Sequence, residues 1–233
     1  HHAIPRRQRQ MCIRDRVSTA VITAAARAGL LKEELIPRDS PYPLLDPNFK
    51  PKEMNSSQSD ACKLIRDFQK QAKFSAILLQ GVTGSGKTEV YLDAVATALK
   101  NGEQVLVLLP EIALTSEFFR RVKDRFGAIP AEWHSGVSVA ERRRVWKMVG
   151  SGGAKLVIGA RSALFLPFMN LGLIIVDEEH DHSYKQEDGV IYNARDMAVL
   201  RSSIESSTVI LASATPSLCL LYTSDAADEE LRV

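Results

Sequence analysis

Residues 81–88 read Gly81-Val82-Thr83-Gly84-Ser85-Gly86-Lys87-Thr88, a complete G-x-x-x-x-G-K-T run that restricts the fold of this chain more than any other stretch. Such a run works in one setting, between a buried strand and the first turn of a helix. Its glycines let backbone amides converge on phosphate oxygens, and the helix N-terminus adds partial positive charge. The lysine reaches the β- and γ-phosphates, and the final hydroxyl binds Mg²⁺. The flanks supply that setting. Residues 76–80 are an apolar run of buried-strand length, and across residues 89–100 Val90, Ala94, Val95, Ala98 and Leu99 recur at helical spacing. The expected nucleotide-binding set is therefore Gly81, Thr83, Gly84, Ser85, Gly86, Lys87 and Thr88, holding ATP with Mg²⁺.

Composition agrees with a folded enzyme domain and excludes several classes. With 45% hydrophobic and 25% charged residues, the 233-residue chain can bury a sizeable core. No run approaches the ~18 apolar residues of a membrane span, so a soluble, cytoplasmic protein without membrane partners is expected. Cys12, Cys62 and Cys219 stand alone, so neither a disulfide framework nor a cysteine zinc site is readable. The net charge of +2 is unevenly spread: residues 1–16 carry five Arg against Asp15, and residues 217–233 carry four acids against Arg232. Global charge therefore argues nothing about nucleic acid, and any such contact must come from local groups.

Residues 1–16 lack an apolar period and read as a solvated tail, with a basic arm gripping nucleic acid as the functional alternative. Residues 18–31 are alanine-rich and helical in pattern, ending near Gly29. Pro37, Pro41, Pro43, Pro47 and Pro51 make residues 36–52 an extended linker and a candidate domain boundary. Ser56-Ser57 can cap a helix over residues 58–71. Beyond the P-loop, strands are expected at 104–109, 155–159, 171–177 and 208–212, and helices at 115–126, 139–149 and 193–202. Apolar strands alternating with helices predict an α/β fold, a mostly parallel sheet covered by helices on both faces. After Ser217 the pattern loses coherence, and too few residues follow for another domain.

The second anchor is Leu173-Ile174-Ile175-Val176-Asp177-Glu178-Glu179-His180, an apolar strand that ends in acids. Asp177 at the strand tip is assigned to Mg²⁺ opposite Thr88, and Glu178 to the attacking water. His180 and His182 have too few further ligands at suitable spacing to read as a metal site. His180 instead reads as a coupling residue, hydrogen-bonded to a neighbouring strand's loop. Ser213 and Thr215, in Ser213-Ala214-Thr215, supply hydroxyls for that role. Taken singly, the two runs also fit an acidic helix start and a helix N-cap.

Together the P-loop, Asp177-Glu178-Glu179-His180 and Ser213-Ala214-Thr215-Pro216 resemble motifs I, II and III of the superfamily-2 DExH helicases. Further runs narrow the resemblance to the PriA-type replication-restart helicases (primosomal protein N′). These are Glu89-Val90-Tyr91 after the P-loop, Pro110-Glu111-Ile112-Ala113-Leu114-Thr115, His134-Ser135-Gly136, Ile158-Gly159-Ala160-Arg161-Ser162-Ala163-Leu164-Phe165 and Asp181-His182-Ser183-Tyr184-Lys185-Gln186. The resemblance spans about residues 58–218.

It implies a RecA-like P-loop NTPase lobe over residues 53–218. Residues 17–52 would be the tail of a winged-helix domain with its linker, carried by Gly29-Leu30-Leu31 and Arg38-Asp39-Ser40-Pro41-Tyr42. Residues 1–16 and 219–233 match nothing in the family and are expected to be tails or artefacts. By the same resemblance, Lys87, Asp177, Glu178 and His180 serve catalysis, and Asn55 and Gln58 contact adenine, a polar helix cap being the plain alternative for these two. Pro110, Thr115, Arg161 and Ser162 hold phosphates of one DNA strand. The loop over residues 181–195 resembles an aromatic-rich loop linking DNA contact to hydrolysis, with Tyr184 and Tyr192 placed to stack bases. Ser213 and Thr215 carry the coupling.

The implied function is that of an ATP-dependent DNA helicase acting at stalled forks. Its partners would be single-stranded and forked DNA, single-stranded DNA-binding protein and primosomal proteins. An N-terminal DNA-end-binding domain, a second RecA-like lobe with its arginine finger and a zinc-binding insertion are expected outside these residues. The chain alone would bind ATP and Mg²⁺ without unwinding. Alternatives are the motor lobe of another superfamily-2 translocase, from a restriction or fork-remodelling system, and a nucleotide-binding module without turnover. A GTPase is excluded because no N-K-x-D run is present, and a transporter ATPase because no L-S-G-G-Q-like signature is.

Overall fold

Alternation along each strand decides this architecture, because both faces of the sheet must be apolar. The computed structural model describes residues 19–30, 42–216 and 230–232, in two units spanning residues 1–40 and 41–233. In the first, α1 (Thr19–Arg27) is the alanine-rich helix expected there. It closes at Gly29, whose φ of +73° suits a residue without Cβ, with Leu30 N–H donating to Ala25 O and Gly29 N–H to Ala26 O.

The second unit contains α2 (Ser56–Lys70), β1 (Ser75–Gln80), α3 (Lys87–Lys100), β2 (Gln104–Leu108) and α4 (Ser116–Phe126), followed by β3 (Ala131–Trp133), α5 (Val139–Gly150) and β4 (Leu156–Gly159). Then come β5 (Leu171–Asp177), the short pair β6 (Lys185–Gln186) and β7 (Tyr192–Asn193), α6 (Ala194–Glu205), β8 (Thr208–Ser213) and β9 (Glu230–Arg232). The main sheet runs β3-β4-β2-β5-β8-β1-β9, every neighbouring pair parallel. As expected of this ATPase class, β8 lies between β1 and β5, with Ala76 and Ile174 both opposite Val209.

Ile77, Leu79, Val105, Val107, Ile175 and Ile210 point into one core with α2, α3 and α4. Their neighbours Leu78, Leu106, Leu108, Ile174, Val209 and Leu211 fill the other, against α5 and α6. This period of two explains why the strands read as unbroken apolar runs. Val105, Leu106, Val107 and Leu108 are fully buried, each worth about 1.5 to 3 kcal/mol of transfer free energy.

The structure corrects the sequence reading at several points. Asn55, not Ser56 or Ser57, caps α2: its side chain accepts from Gln58 N–H at 2.8 Å while Gln58 Oε1 accepts from Asn55 N–H at 3.0 Å. Strand β3 and the β6–β7 hairpin were not foreseen, being only three and two residues long. Residues 42–52 form neither helix nor strand, as their prolines dictate, but they turn at residues 47–50 where a continuous extended linker was expected, and they are strapped to the lobe. Asp46 N–H donates to Phe126 O at 2.9 Å, Arg125 Nη1 to Pro47 O at 2.9 Å, and Tyr42 Oη to Glu141 Oε1 at 2.5 Å. Glu230–Arg232 adds an edge strand beside β1, where a tail outside the sheet was expected. Residues 1–16 and 219–229 lie outside the described residues. No described helix is long and apolar enough to cross a membrane.

Candidate nucleotide and nucleic-acid site

The P-loop joins the carboxyl end of β1 to α3 through two left-handed glycines, Gly84 at φ +82° and Gly86 at φ +92°. A side chain at Gly86 is disfavoured by its φ, and a Cβ there would also lie 2.3 Å from Gln58 Nε2 and push that amide off the loop. Gln58, oriented by its capping box, donates from Nε2 to Ser85 O at 2.7 Å. Both ends of its amide are thus engaged with protein, so Gln58 props the loop. Buried Lys87 donates from Nζ to Gly81 O at 2.7 Å and Val82 O at 3.3 Å. The Ser85 hydroxyl is buried and finds no partner among the described residues. An orphaned hydroxyl and a lysine parked on loop carbonyls beside a helix N-terminus form a donor-rich cradle that fits a phosphate group.

Across from it, β5 ends at Asp177. Its Oδ2 accepts from Tyr91 Oη at 2.8 Å, and its Oδ1 from Glu178 N–H at 3.0 Å. Burial pushes the Asp177 carboxyl above its ordinary range, the nearby Glu178 charge adds to that, and the Tyr91 hydrogen bond opposes it. Thr88 lies one turn before Tyr91 on α3, so Tyr91 links the helix that carries one expected Mg²⁺ ligand to the carboxylate of the other. The Thr88 hydroxyl and the Asp177 side chain as a carboxylate are oxygen donors of the kind Mg²⁺ takes, and they fit it. Glu178 follows at φ +47°, a left-handed conformation costing a non-glycine residue about 1 to 2 kcal/mol.

The end of β8 closes the group. His180 Nδ1 lies 2.8 Å from Ser213 Oγ, which also accepts from Thr215 N–H at 3.2 Å. Gly81 N–H donates to Ser213 O at 3.2 Å, so β8 is joined to both the P-loop and the acidic run. Glu179, 2% exposed, is paired with Arg195 at 3.1 Å and fixes that run to the start of α6.

The residues expected to touch DNA gather at the same sheet edge in unequal states. Arg161 donates from Nη1 to Ser183 O at 3.1 Å and Lys185 O at 2.9 Å. Leu109, Glu111, Arg161, Ser183 and Tyr184 line a small cleft of about 80 Å³. Ser162 and Thr115 are exposed; Ser162 Oγ accepts from Trp133 Nε1 at 3.1 Å, and Thr115 caps α4. Pro110 is buried with its carbonyl engaged by Ala113 N–H at 2.8 Å, so it shapes the turn and offers no contact face.

The expectation that Tyr184 stacks bases is overturned. It is 1% exposed, and its hydroxyl lies 2.6 Å from Asp177 O and 3.0 Å from Leu108 O. Tyr192 is half-buried, edge-on to Phe165 at 5.2 Å between centroids. Exposed apolar surface in this loop is instead carried by Val190 and Ile191.

Two features escaped the sequence reading. Tyr91 was seen only as part of a motif, although its spacing of three from Thr88 puts both on one helix face. The other is Glu89, held by Lys52 and Arg121, each hydrogen-bonded to its Oε1. This triad borders a cleft of about 620 Å³ also lined by Thr115, Phe118 and Arg125, and by none of the eight P-loop residues. Tertiary placement alone reveals it.

A family model described as DEAD/DEAH box helicase matches residues 55–220. The chain belongs to the DEAD/DEAH box helicase family. Within it, the replication restart protein PriA of Rickettsia felis (strain ATCC VR-1525 / URRWXCal2) is 44% identical over 188 residues, covering 78% of this chain and 29% of the relative. PriA of Bacillus subtilis (strain 168) is 42% identical over 214 residues, covering 90% and 26%. The chain therefore spans less than a third of the length of these curated helicase relatives. Among solved structures, RecG bound to a three-way DNA junction superposes with a TM-score of 0.61 at 22% identity, over 83% of this chain and 26% of that one. The shared fold is the RecA-like helicase lobe.

Proposed function

We propose that this chain is the ATP-binding motor lobe of a PriA-type DNA helicase that acts in replication restart. The observation that carries it is the meeting of the P-loop helix and the β5 acid at Tyr91, in a chain over 40% identical to PriA relatives.

Each residue's task follows from its position. Lys87 exchanges its two loop carbonyls for the β- and γ-phosphate oxygens, while the amides of residues 84–88 and the Ser85 hydroxyl close on the same charge. Thr88 and Asp177 would hold Mg²⁺, and the chemistry it would supply there is positive charge against the phosphoryl group. Glu178 accepts the proton of the attacking water. The bond between His180 and Ser213 lets the nucleotide state bear on β8. Arg161 and the exposed Thr115 and Ser162 bind phosphates of single-stranded or forked DNA without reading bases. Tyr184 supports coupling between the two sites. It pins the loop whose carbonyls hold Arg161 to the main chain of the metal acid. Single-stranded DNA-binding protein and primosomal proteins are the partners of the whole helicase.

Residues 1–233 contribute one lobe's half of a two-lobed site. An arginine from the other lobe is worth about 10³ to 10⁵ in turnover, so binding should outlast catalysis here. Steady-state ATPase with single-stranded DNA tests this. The expected result is near-background turnover by the 233-residue chain and strong DNA stimulation when the second lobe is supplied in the same polypeptide. Robust stimulated turnover by the 233-residue chain, abolished by Glu178→Gln, contradicts the half-site argument.

A further inference from the structure

We propose that Tyr91 is a positioning residue: it holds the Asp177 carboxylate in register with the Thr88 hydroxyl, so that α3 and β5 present their cation ligands as one unit. The inference rests on the nucleotide-site reading above and goes beyond it by assigning a role to a residue outside the P-loop and the acidic run.

Tyr91 has no exposed surface and packs in the core shared by α3 and the sheet, with Val107, Leu109 and Ile175 in the same cluster. Packing alone would be served by phenylalanine. A buried phenol needs a partner for its O–H, and here the partner is Asp177 Oδ2 at 2.8 Å. The other carboxylate oxygen is tied to the Glu178 amide at 3.0 Å. With both oxygens anchored, rotation of the carboxyl group is blocked. A carboxylate has about four lone-pair sites, so two remain for a cation or its water.

Thr88 lies three residues before Tyr91 on one face of α3. The hydroxyl from α3 and the acid from β5 are thus spaced by one rigid ring whose position the core determines. This is the arrangement by which partners behind metal ligands fix their orientation, and removing such a partner typically costs about 10- to 100-fold in metal affinity.

Tyr91→Phe keeps the ring and removes only the oxygen. Nucleotide affinity is measured by fluorescence with ADP in EDTA, and Mn²⁺ affinity of the ADP complex by electron paramagnetic resonance. The expected result is ADP affinity in EDTA within about twofold of the parent chain, with Mn²⁺ binding about tenfold weaker. In an Asp177→Asn background the same substitution should add nothing. Unchanged Mn²⁺ affinity in Tyr91→Phe, or an equal loss in the Asp177→Asn background, overturns the proposal. A readout without truncation keeps the test sound if Tyr91→Phe folds poorly. With 3-fluorotyrosine at position 91, the fluorine resonance should shift when Mg²⁺ joins the ADP complex, and not in Asp177→Asn. A resonance that ignores Mg²⁺ also overturns it. Failure of the parent chain to bind ADP at all would instead defeat the nucleotide-site reading, so the two failures are distinguishable.

Discussion

The Tyr184 hydroxyl sits 2.6 Å from the carbonyl oxygen of Asp177, so an aromatic residue in a surface loop is bonded to the main chain of the acid that ends β5. A second carbonyl, Leu108 O at the end of β2, lies 3.0 Å away. Tyr184→Phe leaves both buried carbonyls short of a donor and should cost about 1 to 3 kcal/mol of stability, whereas Tyr184→Ala should cost about 3 to 5 kcal/mol through the cavity it opens. Affinity for single-stranded DNA should stay within about twofold in Tyr184→Phe. Urea denaturation and fluorescence anisotropy measure the two effects, and a large drop in DNA affinity confined to Tyr184→Ala under conditions where it stays folded would restore a stacking role, because only that variant removes the ring.

Gly86→Ala should disable the phosphate cradle. The new methyl meets Gln58 Nε2 and the residue must hold φ near +92°. Calorimetry should show loss of ADP binding, with a stability cost of about 1 to 2 kcal/mol from the left-handed backbone. Adding Gln58→Ala relieves the clash and leaves the backbone penalty, so the double variant should recover only part of the loss. Full recovery would mean the contact with Gln58, not the backbone, makes Gly86 necessary.

Glu103, just before β2, has its carboxyl raised above the usual range by burial, against an opposing hydrogen bond from Asn101. A raised acid favours the folded state below the unfolded pKa and loses that advantage as pH climbs through the folded value. Glu103→Gln should therefore stabilise the chain near neutral pH, and the gain should vanish in acid below the ordinary glutamate range. Urea titrations at pH 7 and pH 4 provide the check. A gain that persists unchanged at pH 4 would contradict the assignment.

Arg161 donates to both loop carbonyls from one nitrogen, Nη1. Arg161→Lys keeps the charge and loses the planar guanidinium. If Arg161 contacts one phosphate, Arg161→Ala should lower the slope of log affinity against log salt by about 1, whereas Arg161→Lys should preserve the slope. Identical slopes in the parent chain and Arg161→Ala would remove it from the DNA contact.

How far the sequence could be read depended on whether the deciding interactions were local. β2 and β5 were legible because strands covered on both faces must be apolar through their middle, as residues 105–108 and 173–176 are. The P-loop was legible because its glycines serve backbone conformation, which spacing reports. Strand β3 was not: Ala131–Trp133 is short and includes an acid, and only pairing with Leu156–Gly159 makes it a strand. Asn55 lost to Ser56 as the expected cap because both residue types cap well, and only the backbone at Asn55, with φ −70° and ψ 175°, distinguishes them. Tyr184 misled for a general reason. A tyrosine in a polar loop reads as exposed, and its burial depends on carbonyls supplied by β2 and β5.

The account stands most directly on nucleotide affinity. Titration of ADP with Mg²⁺ into the parent chain and Lys87→Ala by calorimetry should show binding by the first and at least about tenfold weaker binding by the second. The substitution removes a charge-assisted contact of about 1.5 to 3 kcal/mol while leaving the amide cradle intact. Equal affinity in the two, or no binding by the parent chain, would contradict the assignment of residues 81–88 as the nucleotide site.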